Sequence, residues 1–157
     1  KIENPKKIES SLINKQLLSF IASCINHKSN RQKIIPKLLE SKLFDNHERA
    51  LLKELETPSL INEDTENIVM KVKSSDLKNI AKSCLDPSIY QLFPYAEPNY
   101  DVENSYLETI KSCENLNTRL LNLKKINKSL DNFVTNSNQL NWDELQKINL
   151  EMNKESL

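Results

Sequence analysis

Two histidines, three cysteines and a few runs of carboxylates and lysines are the side chains here that can do chemistry, so their spacing decides what is open to the chain. His27 and His47 would act as general bases beside a nucleophile or a paired carboxylate, but neither has such a neighbour in recognisable register. Both read as capping or loop residues, and Asp45-Asn46-His47-Glu48 has the form of a helix start. Cys24, Cys84 and Cys113 are odd in number and widely separated, with no C-x-x-C and no histidine at zinc-ligand spacing. Each falls on an apolar stripe and reads as a core thiol in a reducing compartment. Glu63-Asp64-x-Glu66 carries donors for a cation, yet acids at a helix start complement the helix dipole without one. Lys124, Lys125 and Lys128 form a cationic face, read as solvated rather than as a phosphate site. These positions give no expected catalytic residue, no metal ligand and no cofactor.

Glycine restricts the chemistry further by its absence. The sequence has none, where about 7% is usual. Phosphate-cradling loops, dinucleotide fingerprints and nucleophile elbows all need glycine for close backbone approach or a positive-φ turn. The chain is expected to work by contact rather than by catalysis.

Its 157 residues suffice for one domain, or for a smaller core with an appendage. The 22 basic and 22 acidic side chains cancel, and they are mixed along the sequence. Strong nucleic-acid binding, which needs a local excess of cations, is therefore not expected. No apolar run approaches the ~20 residues that span a bilayer, and no signal peptide is present. The opening lysine reads as the start of an excised fragment. A cytoplasmic location is expected.

The elements that must position these side chains are helical. Residues 1–13 read as a linker, with Pro5 in a polar stretch. From Asn14 the apolar spacing turns helical, with Leu17, Leu18, Ile21, Ala22, Cys24 and Ile25 in one broad stripe. A second helix carries Ile34, Ile35, Leu38 and Leu39, and Pro36 is expected near its first turn. Asp45 and Glu48 form a capping box for a third, which stops at Thr57-Pro58. Asn62 or Asp64 begins a fourth helix, and Ser74 or Ser75 a fifth that ends by Pro87. Ile89–Phe93 is one more short helical piece.

Beyond Pro98 the pattern changes. Val102, Tyr106, Ile110, Cys113, Leu116, Leu120, Leu123, Ile126, Leu130 and Phe133 follow at a mean step of about 3.4, close to a coiled-coil seam. This predicts one helix of roughly thirty residues, broken at Thr135-Asn136-Ser137-Asn138. A last helix starts at Asn141, with Glu144 at the capping-box position and Leu140 and Leu145 as a hydrophobic staple. The expected fold is all-α: an N-terminal bundle of short helices over 14–98, then a long helix and C-terminal helical hairpin over 99–157.

That order of elements resembles the C-terminal helicase-binding domain of bacterial DnaG-type DNA primases. LLSFIASCINHKSNRQKIIPKLL is similar to the family's first two helices, LFDNHERALLKEL to its third and SSDLKNIAKSCLD to a later short one. NSYLETIKSCENLNTRLLNLKKINKSL followed by NWDELQKINLEMNKESL resembles its long helix and terminal hairpin. The likeness runs from about Gln16 to Leu157 and lies in layout, without a short invariant motif. It implies a non-catalytic part of a primase whose polymerising core lies outside this sequence. Its implied partner is the hexameric DnaB-type replicative helicase, onto which the hairpin docks to couple priming to the replication fork.

Within the hairpin, Leu145 and Ile148 are expected to pack on the long helix, and Trp142, Leu150 and Met152 to reach outward. All five are candidate partner-binding residues. Trp142 has two readings, a contact anchor or a plug closing the hairpin on Phe133 or Leu130. The rival to a docking module is a coiled-coil adaptor or homo-oligomerisation domain. The first predicts a monomer when alone, the second a dimer or larger.

Overall fold

The computed structural model describes residues 5–135, and side chains from 11 to 128. Within these residues the chain is all-α, with seven α-helices, two 3₁₀ turns and no strand. The helices are α1 (Pro5–Asn26), α2 (Arg31–Glu40), α3 (Asn46–Leu55), α4 (Thr65–Lys71), α5 (Ser75–Cys84), α6 (Pro87–Leu92) and α7 (Val102–Thr135). The hairpin expected after residue 135 lies outside the described residues.

α1 is the central element. Every side chain from Ser19 to Ile25 is buried, which a helix shows only when neighbours surround it. Helices α2, α4, α5 and α6 and the 3₁₀ turn Pro94–Ala96 all pack against it. Phe20 anchors this core, edge-on to Phe44 at 6.4 Å and stacked on Tyr95 at 6.3 Å. Full burial of such a ring contributes about 2–3 kcal/mol. α1 also begins earlier than the sequence reading allowed. Residues 5–13, assigned to a linker, are helical from Pro5, because proline at a first helical position lacks only an amide that had no partner there.

A chain without glycine must end its helices without left-handed caps. No described residue has a positive φ. The chain leaves α2 and α4 through extended residues, Ser41 and Val72, instead. Hydroxyls and a guanidinium then take the last carbonyls: Ser41 Oγ donates to Leu38 O and Thr57 Oγ1 to Glu54 O, both at 2.6 Å, and Arg49 Nη1 donates to Ser41 O at 3.1 Å.

The starts of the short helices follow their sequences closely. Asp45 Oδ1 accepts from the Glu48 amide at 2.8 Å while Glu48 Oε1 accepts from the Asp45 amide at 2.9 Å, the capping box expected there. Asp86 accepts from Ser88 N at 2.9 Å ahead of Pro87 in α6. In α5, Leu77, Ala81 and Cys84 line up at helical spacing and are buried. α2 differs from expectation. Pro36 stands well inside it rather than in the first turn, since Arg31 is pulled into the helix by its buried side chain. Proline costs Gln32 a hydrogen-bond donor, but Gln32 and Pro36 are both exposed, so water can serve that carbonyl.

The chain divides into two compact units after Cys113. The bundle therefore ends later than the 98/99 boundary read from the sequence. The physical reason is that Ser105, Thr109 and Cys113, in the opening turns of α7, are buried parts of the first unit's core. In the second unit α7 continues to Thr135, and Leu116 and Ile126 are buried.

Candidate functional site

The buried polar groups of the first unit are connected to one another. Ser23 Oγ lies 3.0 Å from Ser105 Oγ and 2.9 Å from Thr109 Oγ1. One turn earlier on α1, Ser19 Oγ donates to Gln16 O at 2.5 Å and lies 2.6 Å from Tyr95 Oη. Ser105 Oγ donates to Tyr95 O at 2.6 Å, and Gln16 Nε2 donates to Ser112 Oγ at 2.9 Å. Burial pushes the Tyr95 phenol up to about 12, so it stays a neutral hydrogen-bonding group. Ser19 and Ser23 stand four apart on α1, as Ser105 and Thr109 do on α7. Small hydroxyl residues at that spacing are the signal that would have located this seam.

Arg31 closes the other end of α1. It is fully buried, and its hydrogen bonds go to backbone carbonyls. Nε donates to Cys24 O at 2.8 Å, Nη2 to Ile25 O at 2.8 Å, and Nη1 to Leu60 O and Ile61 O at 2.8 and 2.9 Å. The planar fork thus satisfies the last carbonyls of α1 and ties down the loop before α4. Burial lowers the Arg31 pKa, and the nearby Asp64 and Glu63 carboxylates oppose that shift. The sequence reading passed over this residue.

Most of the candidate chemical residues are buried in the core or paired. His27 is buried at the end of α1, where its Nε2–H donates to Glu97 O at 3.0 Å; burial holds its pKa below the ordinary value. Cys24, Cys84 and Cys113 are buried, as expected of core thiols, and burial pushes the Cys24 and Cys84 thiols upward. His47 is exposed in the first turn of α3. Of the acidic run, Glu63 accepts from Lys71 Nζ at 2.6 Å and from Asn67, while Asp64 pairs with Lys28 at 3.0 Å. Lysines answer the charge of these two carboxylates. No group of three His, Cys, Asp or Glu side chains among the described residues is arranged to hold a metal. No helix among them is long and apolar enough to cross a membrane.

Every buried side-chain polar atom among the described residues has a hydrogen-bond partner, so the interior offers no aimed donor or acceptor. What remains is surface. On the first unit, Tyr106 lies beneath the ammonium groups of Lys33 and Lys37, at 5.6 and 5.8 Å from the ring centre. Met70 and Leu107 are more than half exposed. On the second unit, Leu121 is 51% exposed, and Lys124, Lys125 and Lys128 are exposed beside it.

The five residues proposed from sequence as partner contacts, Trp142, Leu145, Ile148, Leu150 and Met152, lie outside the described residues. The chain matches no family model, no curated protein and no solved structure.

Proposed function

We propose that this chain is a non-catalytic docking module that recruits a DNA primase to the replicative, DnaB-type helicase. The observation that carries the reading is the division of labour in its helices. A bundle in which every buried side-chain polar atom of the described residues has a partner ends at Cys113, and one helix runs on from it to Thr135. A scaffold that leaves no unpaired polar group inside has its recognition chemistry on its faces, where helix-on-helix packing operates. The resemblance of the sequence to primase helicase-binding domains supports the choice of partner.

The test is capture of the cognate replicative helicase by the whole chain and by a version lacking residues 135–157. Capture by the first and loss by the second supports docking through the hairpin. Full-affinity capture by the shortened chain places docking in the bundle or α7, and no capture by either removes the helicase as partner. The oligomerisation reading draws on Leu107 and Leu121, exposed two heptads apart in α7. Solution mass by light scattering separates the two, since docking predicts a monomer and oligomerisation a dimer or larger.

A further inference from the structure

We infer that the face of α7 formed by Leu121, Lys124, Lys125 and Lys128 takes an acidic, amphipathic helix of a partner protein. Residues at positions i, i+3, i+4 and i+7 share one side of a helix, which puts the three lysines on the same face as one leucine. All four side chains are exposed. They line a depression of about 440 Å³ together with Asn127. In sequence the three lysines outnumber the acidic residues near them: no Asp or Glu stands between Glu114 and Asp131. Nor do they join the ion pairs at Lys28–Asp64 and Lys71–Glu63.

The combination selects among anionic partners. Phosphodiester backbone would meet the lysines, but Leu121 beside them would be desolvated against charge, and none of the described residues of the face is an aromatic ring on which a base can stack. A membrane surface needs a broad apolar stripe alongside the cations. Around this face Leu116 and Ile126 are buried and Leu120 and Leu123 half-buried, so among the described residues from 116 to 128 Leu121 is the exposed apolar side chain. A partner helix with carboxylates flanking an apolar seam satisfies both parts. Its carboxylates reach the ammonium groups while its aliphatic side chains cover Leu121, an apolar anchor ringed by polar contacts. The inference rests on the reading of this chain as a docking module, not on the identity of the helicase.

The full chain is titrated with a synthetic Leu/Glu amphipathic helix, an oligothymidylate, phosphatidylserine vesicles and, separately, the cognate helicase. The acidic helix is expected to bind more tightly than the oligonucleotide or the vesicles. Its affinity should fall about tenfold or more when salt is raised to about 0.3 M. Lys124→Glu/Lys125→Glu/Lys128→Glu should weaken it about tenfold or more, Lys124→Gln/Lys125→Gln/Lys128→Gln less, and Leu121→Ala about tenfold. Circular dichroism of each variant should match the parent, because all four side chains are exposed. Tighter binding of oligonucleotide or vesicles, equal binding by the charge-reversed variant, or no binding of the acidic helix overturns the inference. Helicase bound equally by parent and charge-reversed chains also overturns it, while leaving the proposed function standing. The acidic helix bound with no helicase binding removes the proposed partner and leaves the face.

Discussion

Ser23 Oγ and Thr109 Oγ1 meet at 2.9 Å in the interior of the bundle, joining residues that stand 86 positions apart. Both are fully buried, and Ser23 also reaches Ser105. A hydroxyl is smaller than the apolar side chains usual at a helix contact, so the two backbones can approach closely. Each group also has a partner that water would otherwise supply. The contact makes the opening of α7 part of the bundle and sets where the second unit begins.

The first prediction tests that contact as a unit. Ser23→Ala should cost about 1–2 kcal/mol in urea unfolding, because it leaves the Thr109 and Ser105 hydroxyls short of a buried partner. Thr109→Val keeps the volume and should cost about as much. The double variant should cost clearly less than the two singles together, since the second change removes a group already stranded. Additive losses would show that the two hydroxyls contribute independently.

A second prediction concerns Arg31. Its replacement by Met should destabilise the chain by about 3 kcal/mol or more, because four buried carbonyls lose charge-assisted donors at once. Arg31→Lys should recover only part of this, as an ammonium on a single stem cannot span carbonyls on both α1 and the loop at 60–61. Equal stability of Lys and Arg in denaturant titrations would mean that charge, not the fork, matters.

The sequence made the locally determined features legible and hid those made by distant residues. The capping box of α3 was readable because Asp45 and Glu48 need only each other. The length of α7 was readable from its apolar period. Its register in the opening turns was not, although Cys113, Leu116 and Ile126 of the expected seam are buried. The seam begins Val102, Tyr106, Ile110, yet Val102 is 43% exposed while Ser105 and Thr109 are completely buried. Apolar periodicity ranks hydroxyls as surface, and only their partners on α1 and at Tyr95 make them core. Arg31 was hidden for the same reason, since its acceptors come from two separate segments. The proposed hairpin contacts, Trp142 foremost, lie outside the described residues and stand on sequence alone.

The third prediction is a pH dependence set by His27. Its folded-state pKa is below the ordinary value, chiefly through burial, so the folded state disfavours the proton that the unfolded chain accepts at about pH 6.5. The unfolded state then binds more protons, and stability is present above pH ~6.5 and lost as pH falls below it. The slope contributed by one such group is at most about 1.4 kcal/mol per pH unit. His27→Gln retains a donor for Glu97 O without the titration. The difference in stability between parent and variant should therefore change from pH 7.5 to about 5, and a constant difference would exclude His27 as the cause.

The last prediction fixes the edge of the bundle. A fragment ending at residue 98 keeps α1 to α6 and the Pro94–Ala96 turn but loses Ser105, Thr109 and Cys113. Ser23 and the Tyr95 carbonyl then lose the hydroxyls that satisfy them. A fragment ending at residue 113 retains all of these contacts. It should unfold cooperatively, with a midpoint within a few degrees of the bundle in the whole chain. The shorter fragment should melt lower, by about 4–8 °C for each ~1 kcal/mol of lost packing and hydrogen bonding. Amide exchange at Ser23 and Cys24 offers an independent reading, since their protection should survive in the longer fragment and fall in the shorter. Equal stability of the two would show that α7 merely rests on a bundle that is complete without it.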